Sequence, residues 1–371
     1  MDKKKLTRLM IDTVVKRGIE NMADDPRRSI RRLADLGRQF SAGRFQDDII
    51  DIIQTILADD NSPYYTMMQS FLDNTDHACI RKFGINIGYN SWTYDARTLR
   101  KCSAELGHII PWLLIFRLED NHIKDSNTND TNNNNSSAND INTKDNINIE
   151  FIKRRISEAR DLGINSFSII QKGENTDADK IIDIFRENEE SAFFYFLDDA
   201  MLTESQISAI KECKNVMISI NADDPQSSNM SRKMHDDKIL YSIYHYYDDN
   251  DFDNVDSLDA NSESLKKYYD YQSSMIFLMP GKGCKNHGET VKNIRLKGKF
   301  PCFIWDMYYD AHLISKRLLD EENGFLEFRE DGDVINPRPK SDCPDNLNKD
   351  TSLTDIIKAV MPKYKTTSAC Q

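Results

Sequence analysis

Ile109-Ile110-Pro111-Trp112-Leu113-Leu114-Ile115-Phe116 is an unbroken apolar run, and Arg117-Leu118-Glu119-Asp120 follows it. Such a run is either a buried strand or a short core helix, and periodicity alone does not separate the two. What comes next is a tract of Asn, Asp, Ser and Thr that includes Asn132-Asn133-Asn134-Asn135 and extends to Asn148. Nothing apolar holds that tract down, so its composition predicts a disordered insertion over 120–148.

Beyond the insertion the chain alternates between helix and strand patterns. Phe151, Ile152, Ile156 and Ala159 share a helical face that ends at Gly163, and Ser166-Phe167-Ser168-Ile169-Ile170 reads as the next strand. Ile181, Ile182 and Phe185 mark another helix before the strand Ala192-Phe193-Phe194-Tyr195-Phe196-Leu197. Thr203 and Gln206 form a capping box, and Val216-Met217-Ile218-Ser219-Ile220 is the following strand. Ile239 to Tyr244, Ser274 to Met279 and Cys302 to Trp305 complete the series. Strands apolar on both faces and joined by helices imply a parallel sheet covered by helices. The expected fold is α/β, a partial or complete parallel β/α barrel, because right-handed crossovers in one sense roll the sheet up. A doubly wound open sheet is the competing arrangement.

Upstream, residues 1–73 read as helices only, a small N-terminal helical domain. Asp25-Pro26 is a helix start, Ile30, Leu33, Ala34 and Phe40 recur on one face to Gly43, and Phe45 to Leu57 carries a second stripe. Ser62-Pro63 opens a third helix with Met67, Met68, Phe71 and Leu72. Residues 74–107 read as a linker, with the aromatic and glycine-rich stretch around Phe83 to Arg100 taken as turn and strand. The barrel is assigned to 108–340, and 341–371 to a C-terminal tail with a short helix.

A net charge of −12, with acidic residues scattered along the chain, argues against a nucleic-acid surface, which needs clustered Lys and Arg. The arginines from Arg27 to Arg44 fall on a solvated helix face. No stretch approaches a membrane span, and charges interrupt any leader-like core near Met1. Seven cysteines with no CxxC pair suit free thiols in a reducing cytoplasm.

The order of segments resembles the radical SAM superfamily, in particular members with a helical region before the barrel. The strand Ile110 to Ile115 stands where that family has its first strand, and Gln171-Lys172-Gly173-Glu174-Asn175 is similar to the Gly-Gly-Glu-Pro segment after its second. Asp198-Asp199, Ile218-Ser219-Ile220-Asn221, Met279-Pro280-Gly281 and the run Phe325 to Val334 follow its later strand ends. The resemblance covers residues 80 to 340. It implies a loop after the first strand with three cysteines as CxxxCxxC, holding a [4Fe–4S] cluster that binds S-adenosylmethionine. Here that loop is the Asn-rich tract, and no cysteine lies between Ile109 and Cys213. The expectation is therefore a degenerate, cluster-free member with no cofactor and S-adenosylmethionine binding at most residual.

Strand ends in such barrels point polar residues into a shared cleft, which makes Arg117, Glu119, Gly173, Glu174, Asp198, Asn221, His245 and Asp306 the candidate mouth pocket. No residue is assigned a catalytic role. A metal site from His245, Asp306 and Glu174 lacks a supporting ligand spacing, so no metal is expected. Cys284 is either a thiol activated by Lys282, Lys285 and His287 or an inert one in a glycine-rich loop. The functional expectation is a binding or partner-interacting scaffold for an unknown small molecule or protein. The alternatives are an enzyme with acid–base chemistry at the mouth and a docking partner of a catalytically complete relative.

Overall fold

Eight strands of the sheet run parallel and curl into a half-barrel: β1 (Leu113–Leu118), β2 (Ser166–Gln171), β3 (Ala192–Leu197), β4 (Val216–Asn221), β5 (Tyr241–Tyr247), β6 (Met275–Pro280), β7 (Phe303–Asp306) and β8 (Phe325–Phe328). A short β9 (Val334–Ile335) pairs antiparallel with β8. This computed structural model describes residues 3–21, 27–32, 35, 54–118, 149–172, 177–198, 202–252, 271–298, 302–329, 332–335 and 350–365. The insertion 120–148, the helix start at Asp25-Pro26 and most of the stripe from Phe45 onward lie outside them.

The strand order is β7-β6-β5-β4-β3-β2-β1-β8-β9. Consecutive strands from β1 to β7 are neighbours and β8 lies on the free side of β1, with no reversal of order as in a doubly wound sheet. A partial parallel β/α barrel is the result, as the apolar strands imply.

Side chains alternate between the barrel axis and the surrounding helices. Outward, Phe116 stacks on Phe328 at 5.4 Å and Phe193 meets Phe185 at 4.9 Å, where Phe185 belongs to the helix Ala178–Glu187. Inward, Phe196 packs edge-on against Tyr244 and Phe277, each at 5.4 Å, so aromatic rings fill the middle of the barrel. Below them is an apolar cavity of about 140 Å³, lined by Trp92, Trp112, Phe194, Met217, Phe277 and Trp305 among others.

Residues 77–106 close the foot of the barrel. The segment read as turn and strand is instead helical throughout: His77–Gly84, a π-helical stretch Ile85–Asp95, and Ala96–Leu106. Its glycines and aromatics suggested extended backbone, but tertiary bonds override local preference. Asn86 Nδ2 donates to the carbonyls of Glu189 and Ser191, and Asn90 Nδ2 to that of Glu190, which pins the wide helix over the turn before β3. Ser166 Oγ donates to Ser91 Oγ, and Asn165 Nδ2 to Asp95.

β7 and β8 do not pair, and the helix Met307–Leu319 stands between them. Trp112 Nε1 donates to Ser315 Oγ at 2.9 Å, while Met307, Ala311 and Ile314 line the cavity. The helix is anchored by Asp310, whose two oxygens each accept from the Arg295 guanidinium at 2.7 Å and one of which also accepts the Asp306 N–H. Arg295 further donates to the Ile304 carbonyl and packs under Phe303 and Trp305. In the tail, Leu353–Val360 buries Leu353, Ile356, Ile357 and Val360, and its first N–H donates to Glu158.

Removing one partner of a buried, bidentate ion pair strands the other charge away from water. D310A is therefore expected to destabilise the fold by about 3–5 kcal/mol in urea unfolding. A change below about 1 kcal/mol would show that the pair does not anchor the gap helix.

Candidate functional site

Interior positions change character toward the C-terminal ends of the strands. On β1 the register Leu113, Ile115, Arg117 ends in a cation. On β8, Glu327 lies one residue before the strand's end, and its carboxylate is bonded by Arg117 Nε. The Arg117 guanidinium also bonds the hydroxyl of Tyr308. Glu327 is buried and Arg117 nearly so, with side-chain exposures of 4% and 17%, so water screens this pair little. Burial lowers the guanidinium's affinity for its proton, but Tyr308 and Glu327 outweigh that and hold its pKa above the ordinary arginine value.

The strand-end positions of β2, β3 and β4 complete the rim. Lys172, directly after β2, places its ammonium 5.7 Å from the centre of the Tyr246 ring. Asp198, directly after β3, accepts from Asn221 Nδ2 at 2.7 Å and from Tyr244 Oη at 2.9 Å. Tyr246 lies within electrostatic reach of Arg117, Lys172 and Asp198. Burial pushes the phenols of Tyr244, Tyr246 and Tyr308 upward, so all three are neutral, and the Tyr246 hydroxyl is buried without a hydrogen-bond partner. Deeper on the same face of β2, Ser168 Oγ is buried without a hydrogen-bond partner.

Of the residues expected at the mouth, Arg117, Asp198 and Asn221 are there. Glu119, Gly173 and Glu174 lie outside the described residues. His245 and Asp306 belong to strand positions that face away from the axis, with Leu278 between them in the sheet register. His245 Nδ1 bonds Asp223 at 2.7 Å and its Nε2 meets Asp251 at 3.3 Å. Asp306 caps the gap helix by accepting from the Tyr309 N–H and also takes the Tyr247 hydroxyl. A mouth that includes His245 and Asp306 is thus corrected by strand alternation: position at a strand end does not say which side of the sheet a residue faces. Lys172, Tyr246, Tyr308 and Glu327 were missed. For Glu327 the signal was a lone charge inside the apolar run Phe325-Leu326-Glu327-Phe328.

Cys284 places its Sγ 3.2 Å from Asp249 Oδ1. Partial burial and the Asp249 carboxylate push the thiol up to about 11, opposite to what the lysines around it suggested.

The donor set of an iron–sulfur cluster can be compared with the thiols present. Among the described residues Cys79, Cys102, Cys213, Cys284 and Cys302 are free. Cys302 precedes β7 and Cys284 follows β6, so they stand at opposite ends of the barrel, and Cys79 lies against the Cys213 carbonyl just before β4. Three thiolates do not converge among the described residues, which do not fit a cluster of this kind.

No family model and no curated protein matches the chain. Solved structures do resemble it. Streptococcus suis SuiB bound to S-adenosylmethionine is 11% identical, with a TM-score of 0.45 over 74% of this chain and 69% of that one. SuiB bound to the precursor peptide SuiA is 10% identical, with a TM-score of 0.45 over 74% and 70%. The FeFe-hydrogenase maturase HydG from Carboxydothermus hydrogenoformans is 12% identical, with a TM-score of 0.32 over 86% and 76%. At these identities and TM-scores the likeness carries no argument of its own, and the partial parallel β/α barrel rests on this chain's strand order. The expectation of no cofactor, with S-adenosylmethionine binding at most residual, is corrected here. One of these neighbours holds S-adenosylmethionine, and the absence of a cofactor is withdrawn as a reading of this chain.

Burial raises the Asp306 carboxyl above the ordinary value of 3.8, against the Tyr309 N–H and Tyr247 hydroxyl that favour its anion. The folded chain then binds this proton more tightly than the unfolded chain. The associated stability is present at low pH and is lost as pH rises from 3.8 through the raised value. Urea titrations across that window are expected to show this loss in the native sequence and not in D306N; identical slopes would refute the raised value.

Proposed function

We propose that this chain is a non-radical binding scaffold whose barrel mouth takes a small zwitterionic molecule. The observation that carries this reading is that two cations, Arg117 and Lys172, and one anion, Asp198, all at interior strand ends, lie within electrostatic reach of Tyr246. A carboxylate is stabilised by the guanidinium and ammonium, and an ammonium by Asp198. The aromatic filling under the rim limits how deep a ligand sits, so the ligand contacts the rim rather than the centre of the barrel. The loop after β1 supplies no thiolate, which favours binding over radical generation. The acid–base alternative loses support because His245 and Asp306 face the outer side of the sheet.

Among the described residues no helix is long and apolar enough to cross a membrane. A cytoplasmic location is part of the same proposal, supported by the five thiols that are free among the described residues.

A ligand that binds only the native state raises its stability. Thermal denaturation with millimolar methionine and, separately, S-adenosylmethionine is expected to raise Tm by roughly 2 °C or more in at least one case. K172M is expected to remove that shift while leaving the unliganded Tm within about 2 °C, because a half-buried cation is replaced by an apolar chain of similar length. No shift with either compound, or an equal shift in K172M, would contradict a zwitterion at the rim.

A further inference from the structure

Outside the barrel mouth, the loops after β5 and β6 bring together three side chains that the proposed binding role does not use. Asp249 lies in the short 3₁₀ turn Asp249–Phe252, and Cys284 and His287 lie in the loop that leads into the helix Gly288–Lys297. Each offers one ligand atom, and these atoms all lie within 4.8 Å of one another. A single carboxylate oxygen, Asp249 Oδ1, is the hub: Cys284 Sγ stands 3.2 Å from it, His287 Nε2 2.9 Å, and the Lys285 N–H donates to it at 3.0 Å.

We infer that Asp249, Cys284 and His287 form a binding site for a single divalent transition-metal ion of borderline character, with Zn²⁺ as the best fit. One thiolate, one imidazole and one carboxylate are all zinc ligands, and three protein ligands leave a fourth tetrahedral position for water. All three residues are half-buried, which leaves that position reachable from solvent. Without metal, the thiol and imidazole each meet the same carboxylate oxygen. Metal binding replaces these contacts: Sγ loses its proton to solvent, neutral Nε2 and the carboxylate oxygen bond the cation, and no electron changes hands.

The surroundings hold the ligands in place. The His287 ring stacks on Phe252 at 4.6 Å and meets the edge of Tyr247 at 5.9 Å, and the His287 N–H donates to Tyr247 Oη at 3.3 Å. Tyr247 is itself fixed by its bond to Asp306. Gly281 brings the ligand loop against β5: a Cβ there would stand 2.9 Å from the Tyr247 carbonyl oxygen. Its own N–H donates to that oxygen at 2.8 Å. An imidazole clamped in this way gives up little rotamer freedom on ligation.

The test uses the full chain, stripped of metal with a chelator and titrated with Co²⁺ as a spectroscopic stand-in for Zn²⁺. The expected result is one ion per chain with a thiolate-to-cobalt charge-transfer band that Zn²⁺ displaces. C284S is expected to lose the band, and D249N and H287Q to weaken binding at least tenfold. Alkylation of Cys284, read by mass spectrometry on the unsubstituted chain, is expected to slow at least tenfold with Zn²⁺, which keeps the test valid if a variant fails to fold. Absence of stoichiometric binding, a band that survives in folded C284S, or alkylation indifferent to Zn²⁺ would overturn the site.

Discussion

The half-barrel has an opening between β7 and β8, and the rest of the molecule depends on how that opening is covered. Edge strands present unpaired backbone and apolar interior side chains to solvent. The helix Met307–Leu319 fills the space, held by the bidentate Arg295–Asp310 pair near one end and by Trp112 bonding Ser315 near the other. Both contacts are buried, so the helix has one seating rather than a range of them. The same seating puts Tyr308 against Arg117 and Glu327 at the rim and Met307, Ala311 and Ile314 along the cavity. One covering element therefore helps to shape both ends of the interior.

Along the barrel axis, polarity rises in one direction. Tryptophans and methionines surround a small, mostly apolar space at the foot, phenylalanine and tyrosine rings fill the middle, and charged groups stand at the rim. The aromatic layer gives the rim a low-dielectric floor, which strengthens the ion pairs above it and raises the cost of leaving any charge there unpaired. Glu327, Arg117 and Asp198 accordingly have partners before any ligand arrives. A zwitterion suits such a rim better than a simple anion, since it brings a partner for each sign of charge.

Seven of the eight parallel strands were legible because each is a short apolar run, and a parallel sheet covered on both faces leaves that trace; β8, with Glu327 inside it, was not read as one of that series. The chain over 85–95 was not. Its wide helix is stabilised by Asn86 and Asn90 reaching carbonyls about a hundred residues away in sequence, a cause that a local window does not contain. At the rim, Arg117, Asp198 and Asn221 were found from their places at strand ends. Which side of the sheet such a residue faces requires the pleat phase, and His245 and Asp306 were misjudged for want of it. Tyr308 could not have been found, because its place at the rim follows from the seating of the gap helix rather than from any strand.

The role proposed for this barrel is binding rather than radical generation. It is tested most directly by anaerobic reconstitution of the full chain with iron and sulfide, followed by reduction and electron paramagnetic resonance. The expected outcome is no [4Fe–4S] signal above that of a matched blank, because thiolates do not converge among the described residues. A stoichiometric cluster signal that changes on adding S-adenosylmethionine would contradict it.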